Sequence, residues 1–157
     1  MPRASALLLT AAVVSLGAVG AALVSQHVFD MQPCPWCVLQ RVVFVAIAIV
    51  ALLGLVLRAA FPRQVAAIAI LLLSAGGVAA ALWQHFVAAS STSCKLTLAD
   101  RIVGGLGLDS LWPEVFAAYA SCADAAVKLA GVSYEFYSLV LFVAMAAVGF
   151  VVLRRPR

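Results

Sequence analysis

Two cysteines separated by two residues, Cys34-Pro35-Trp36-Cys37, stand at the threshold of a long apolar stretch, with Arg41 four residues beyond the second sulfur. Such a pair suits thiol–disulfide exchange. The thiolate is the reactive form, and a helix amino terminus, a nearby cation or the C-x-x-C geometry lowers a cysteine pKa. If residues 37–41 are helical, Cys37 and Arg41 share a face as i and i+4 neighbours. An arginine in this place has two uses. It faces the bundle interior, where a cation stabilises a thiolate or the oxygen of a reduced acceptor, or it snorkels with its stem in lipid and its head in water. Dithiol chemistry at the lip of a bilayer suits electron passage between a water-soluble thiol protein and a lipid-soluble acceptor.

The other two cysteines, Cys94 and Cys122, lie in one long connection. Four cysteines allow three pairings. The natural division is the close pair and the distant pair, because both partners of each lie in one connection. A zinc site is disfavoured, since zinc prefers two closely spaced ligand clusters and no second C-x-x-C exists; no metal is expected. A disulfide across two intervening residues closes a small ring and gains little loop entropy, so redox use is the better reading of Cys34 and Cys37. Cys94 and Cys122 alone would be structural, a loop of that size being worth about 3–4 kcal/mol in the entropic model. Their place beside a redox pair favours a second exchangeable disulfide.

The elements that position these residues are membrane spans. Of 157 residues, 66% are apolar and 10% charged, far from soluble globular usage. Apolar stretches of spanning length cover roughly 4–28, 38–57, 65–87 and 134–153. Little chain remains for a soluble domain. We therefore expect one all-α membrane domain over 1–157: a four-transmembrane-helix bundle with loops at about 26–37 and 88–133. The first stretch is too long for the core of a secretory signal and is expected to remain.

Arg3, Arg58, Arg63, Arg154, Arg155 and Arg157 fall at the two termini and the second connection, with no acid among them. Asp30, Asp100, Asp109, Glu114, Asp124 and Glu135 all fall on the other side. The positive-inside rule then sets both termini in the cytoplasm and all four cysteines outside it, where disulfides persist. The basic balance is a topology signal, and no nucleic-acid partner is implied.

Pro33 and Pro35 keep the first connection extended, so Cys37 should lie at or near a helix amino terminus. The second connection, Arg58 to Gln64, contains Pro62 and reads as a tight turn. In the third, Thr97 with Asp100 forms a capping pair ahead of Leu98, Ile102, Val103 and Leu106. Ser110 is placed to cap a second short helix from Pro113. Such helices either lie on the bilayer or cover the bundle mouth. Trp36, Trp83, Trp112, Tyr119, Tyr134 and Tyr137 cluster on the same side, as headgroup anchors or as walls for a flat acceptor.

The string Pro33-Cys34-Pro35-Trp36-Cys37-Val38-Leu39-Gln40-Arg41, followed by single cysteines in a long exterior loop, resembles the DsbB family of bacterial membrane quinone reductases that generate disulfides. The likeness covers span count, orientation, cysteine order and the Cys122-Ala123-Asp124 step before Gly131. Trp36 stands where leucine is common. The resemblance implies an inner-membrane thiol:quinone oxidoreductase that reoxidises a periplasmic thioredoxin-fold oxidant of the DsbA type. By position, Cys94 matches the cysteine that forms the mixed disulfide and Cys122 its loop partner. Cys34 matches the cysteine that exchanges towards the loop, and Cys37 the one facing the quinone, ubiquinone or menaquinone. Arg41 matches an arginine supporting quinone reactivity, and His85 a position near the quinone; His85 also reads as an interfacial histidine bonded to backbone.

Vitamin K epoxide reductase-like proteins are also helical bundles with four redox cysteines, but there the loop cysteines precede the C-x-x-C. A dedicated paralogue serving one oxidant, or a non-catalytic scaffold whose disulfides brace a loop, are the other readings.

Overall fold

The computed structural model describes residues 3–57, 59–90 and 97–155. Among them, four helices are long and apolar enough to cross a membrane: α1 (Arg3–Val28), α2 (Pro35–Val56), α3 (Ala60–Phe86) and, after three short helices, α7 (Tyr134–Arg154). The protein is an all-α four-helix membrane protein. Each long helix packs on its neighbour in sequence, and α7 closes the ring against α1. Each of the four long helices is predominantly apolar on its outer as well as its inner face. Outward-facing Val13, Leu16, Ile49, Leu53, Leu72, Val140 and Phe150 remain exposed, as lipid-facing positions should.

What separates the inner faces from the outer is size and fit. On α2 the buried positions Val38, Arg41, Phe44, Ile47, Ala48, Ala51 and Gly54 recur at three- and four-residue spacing. On α3 they are mostly small: Ala66, Ala67, Ile70, Ser74, Gly77, Ala80 and Ala81. Small residues let backbones approach where hydrophobicity supplies no preference for helix over lipid. At the centre Phe44 and Phe142 stack, centroids 4.2 Å apart and planes within 7°. Gly77 makes that stack possible, because a Cβ there would meet the Phe142 ring at 2.5 Å.

Helices α2 and α3 begin earlier than apolarity alone suggests, at Pro35 and Ala60 instead of near 38 and 65. The prolines explain this. A proline in the first helical turn loses no intrahelical bond, so Pro35 is the first residue of α2 and Pro62 lies in the first turn of α3. The second connection shrinks to Leu57–Ala59 as a result.

In the third connection, α4 (Leu98–Gly105) carries the full capping box, Thr97 Oγ1 accepting from the Asp100 N–H and the Asp100 carboxylate from the Thr97 N–H. Helices α5 (Leu108–Leu111) and α6 (Pro113–Phe116) follow. Ser110 does not cap α6; its hydroxyl donates to the Gly107 carbonyl, and Trp112 occupies the cap position. Val103 and Phe116 pack on Val38, so α4 and α6 cover the end of α2. Leu98, Leu106, Leu111 and Trp112 stay exposed on the far side. A two-residue hairpin, β1 (Lys128–Leu129) with β2 (Val132–Ser133), then leads into α7. Its turn needs positive φ at both central residues, supplied by Ala130 at 51° and Gly131 at 83°.

Candidate functional site

Cys34 is the amino-terminal cap of α2. Its φ and ψ are extended, and its sulfur accepts from the Cys37 N–H at 3.4 Å. The turn that follows brings the two sulfurs to 2.9 Å. A third joins them from far along the chain. The Pro33 carbonyl accepts from the backbone N–H groups of Tyr119 (3.0 Å) and Ala120 (3.3 Å), pinning the returning loop to the first connection. Cys122 thereby packs with Cys34, Trp36 and Ala99, and the Cys34 and Cys122 thiols hydrogen-bond. The bonds to Cys122 and Cys37, together with burial, push the Cys34 thiol far up. The same bond from Cys34 holds Cys122 down, aided by the Trp36 backbone and opposed by burial. Of the two, Cys34 holds its proton more tightly than an ordinary thiol and Cys122 less tightly.

The two sulfurs of the C-x-x-C face different surroundings. Cys37 lines a cavity of about 230 Å³ between α1, α2 and α7, with Arg41, Gln40, Gln84, Phe44 and Glu135. Val127 and Leu129 of the hairpin segment close it from above. Cys122 lies in a broader groove of about 1060 Å³ on the other side of α2, walled by Trp36, Trp83, Leu39, Ile102 and Tyr119.

Arg41 does not snorkel. It is 6% exposed, and its guanidinium donates to Gln26 Oε1 (2.7 Å), the Val115 carbonyl (3.0 Å) and the Ala22 carbonyl (3.4 Å). It ties α1 and α6 to α2 while bordering the cavity. Gln84 of α3 donates to Cys37 Sγ at 3.2 Å and accepts from Gln40 at 2.8 Å. His85 pairs through Nδ1 with Glu135 Oε1 at 2.7 Å and packs edge-on against Phe86 and Phe136. Among the described residues its ring has no backbone partner, and it is Glu135, not His85, that borders the cavity. Cys94 lies outside the described residues. No group of His, Cys, Asp and Glu suited to a metal occurs among the described residues.

Gln26, Gln84, Glu135 and the Pro33 carbonyl are absent from the set expected from sequence. A signal existed for the glutamines. A polar side chain in an apolar helix needs a partner in the bundle, and Gln26, Gln40 and Gln84 are such residues, each about 95% buried. Nothing marks a backbone carbonyl in advance.

A four-span membrane protein whose paired sulfurs face a loop cysteine on one side and an apolar cavity on the other is built for thiol–disulfide exchange at a bilayer. The family described as "Disulfide bond formation protein DsbB" matches residues 3–152, and the chain belongs to this family. It is similar to Disulfide bond formation protein B 1 of Pseudomonas syringae pv. syringae (strain B728a), 38% identical over 141 residues, covering 85% of this chain and 80% of the relative. The protein of the same name, without the number, from Herminiimonas arsenicoxydans is 30% identical over 147 residues, covering 93% and 92%. That from Ralstonia nicotianae (strain ATCC BAA-1114 / GMI1000) is 33% identical over 149 residues, covering 90% and 88%. Membership makes this chain a multi-pass membrane oxidoreductase of bacterial disulfide formation.

Proposed function

We propose that the protein reoxidises a periplasmic thioredoxin-fold oxidant of the DsbA type and hands the electrons to a quinone of the inner membrane, ubiquinone or menaquinone. Both termini are then cytoplasmic and the cysteines periplasmic, in keeping with the arginine distribution. One observation carries this reading: Cys34 contacts Cys122 on the loop side, while Cys37 faces the apolar cavity with Arg41.

The sequence of bonds follows from that arrangement. The reduced partner attacks Cys94 of a Cys94–Cys122 disulfide, and Cys122 leaves as thiolate. Cys122 then attacks Cys34 Sγ; the Cys34–Cys122 bond forms, the Cys34–Cys37 bond breaks, and the electron pair stays on Cys37 Sγ. Cys122, released as a thiolate by the first step, is already the attacking form, and its packing against Cys34 supplies the access that exchange needs. A second partner thiolate resolves the mixed disulfide at Cys94 and returns Cys94 as a thiolate; Cys94 then attacks Cys122 Sγ, which re-forms the Cys94–Cys122 bond, breaks the Cys34–Cys122 bond and leaves both electrons on the Cys34–Cys37 dithiol for the quinone.

The cavity suits a quinone ring. Its α1 wall is mostly alanine (Ala18, Ala21 and Ala22), α7 adds Tyr134, Tyr137 and Leu141 beside Glu135, and it is smaller than the ~300–1,000 Å³ of drug-sized pockets, which fits a ring with its tail left in lipid. Arg41 carries five N–H donors, and the bonds named above engage three among the described residues. The quinone would supply a two-electron sink of higher potential than glutathione disulfide, since an oxidant near −120 mV is not favourably regenerated by a thiol pool. Arg41 would hold the ring oxygen beside Cys37, and Phe44 would form the floor.

The test is quinone reduction by purified protein in lipid discs, with a reduced thioredoxin-fold partner. Wild type should consume quinone, Cys37→Ser should abolish turnover, and Cys94→Ser should prevent capture of the partner. Full turnover by Cys37→Ser refutes the assignment. Disulfides that stay oxidised when partner is reduced and quinone withheld would make the protein a scaffold.

A further inference from the structure

Cys37 Sγ has one side-chain neighbour that plays no part in the exchange outlined above. Gln84, on α3, is 4% exposed and directs its carboxamide nitrogen at this sulfur from 3.2 Å. Gln40, one turn along α2 from Cys37 and also 4% exposed, donates to Gln84 Oε1 at 2.8 Å. A carboxamide has a donor end and an acceptor end. With Gln40 engaging the oxygen, the NH₂ end of Gln84 is the one left to meet the sulfur.

We propose that Gln84 is a catalytic residue, the donor that receives the charge arriving on Cys37, and that Gln40 is the positioning residue that fixes its orientation. The proposal rests on Cys37 being the leaving sulfur of the exchange. When Cys122 attacks Cys34, the Cys34–Cys37 bond breaks and Cys37 Sγ takes the electron pair. A disulfide sulfur carries no net charge and accepts hydrogen bonds weakly, whereas a thiolate accepts them strongly. The contact therefore strengthens as the bond breaks. That is the differential stabilisation which speeds a step, as opposed to holding reactant and product equally. Arg41 serves the same sulfur less directly, its hydrogen bonds going to Gln26 and two backbone carbonyls.

A purely structural role predicts something different. If the two glutamines only clamp α2 to α3, then Gln84→Met and Gln40→Met break the same 2.8 Å bond and are equivalent. As a donor, Gln84 is irreplaceable by methionine, while loss of Gln40 merely frees the amide to turn.

The experiment uses the full chain, reduced and then treated with limiting iodoacetamide at pH 7, with modification of each cysteine resolved by mass spectrometry. In Gln84→Met, Cys37 should be modified roughly threefold more slowly, because losing one hydrogen bond to a charged sulfur lowers the thiolate fraction while raising its nucleophilicity in part. Gln40→Met should give a smaller drop, and Cys122, in the same molecules, should be unchanged in both. Equal Cys37 rates in the two variants, or a wild-type rate in Gln84→Met, overturns the proposal. So does parallel loss at Cys37 and Cys122, which would report a disturbed fold. Wild-type turnover with quinone, run alongside, separates these outcomes from failure of the functional reading itself.

Discussion

Cys34 occupies three roles at once: helix cap, half of the C-x-x-C and hydrogen-bond donor to Cys122. Removing its proton donor has a definite sign. Cys122 has a lowered pKa chiefly because Cys34 donates to it. In Cys34→Ala the Cys122 pKa should rise, its thiolate fraction at pH 7 should fall, and its alkylation-rate profile should move to higher pH. An unmoved profile would show that the Cys34 bond does not set Cys122 reactivity. Arg41→Ala removes a cation from the cavity rim and leaves Gln26 Oε1 without its 2.7 Å donor, a loss of about 1–3 kcal/mol for a buried acceptor. The expected outcome is a higher apparent KM for quinone together with a lower melting temperature. Arg41→Lys should restore charge but not the forked contacts to Gln26 and Ala22. A melting temperature equal to wild type in Arg41→Ala would mean that the contacts to α1 and α6 carry no weight.

The helices are held in register by fit at a few places. Gly77 on α3 accepts the Phe142 ring of α7, which stacks on Phe44 of α2 and so joins three helices in one layer. Gly77→Ala would force the ring aside, and overpacking of this kind destabilises by about 1–3 kcal/mol. Thermal unfolding in detergent should show the loss, and Gly77→Ala/Phe142→Leu should recover part of it. Because Phe44 also floors the cavity beside Cys37, the single variant should bind quinone less well than its stability alone accounts for. At the other end of the same helices, α4 and α6 close over α2 through Val38, Val103 and Phe116. Their covering role follows from these buried side chains, while Leu98, Leu106 and Trp112 present a second apolar face outward.

At the scale of the whole molecule, the order α1, α2, α3, α7 around the ring sets Cys34 and Cys37 at one end of the bundle and the arginines Arg3, Arg63 and Arg154 towards the other. A reporter active only in the cytoplasm should therefore work when fused to the carboxyl terminus, and one active only outside it should not; the reverse result would invert the proposed orientation. The spans were legible from apolar length, the C-x-x-C chemistry from its spacing, and the α4 cap from Thr97 and Asp100, because each depends on residues close together in the chain. Arg41 left two uses open until its partners on α1 and α6 were in place. The hairpin at Ala130-Gly131 gives only half of the usual turn signal, since alanine rarely adopts positive φ. Sequence by itself thus determined that four helices cross a membrane and that a C-x-x-C pair stands at one mouth, both being matters of local composition. Tertiary structure alone decided which sulfur meets which neighbour: Cys122 reaches Cys34 because the Pro33 carbonyl anchors a loop some eighty-five residues away, and Cys37 turns to Gln84 across a helix interface. Contacts between distant segments depend on how whole helices pack, and no local pattern encodes them.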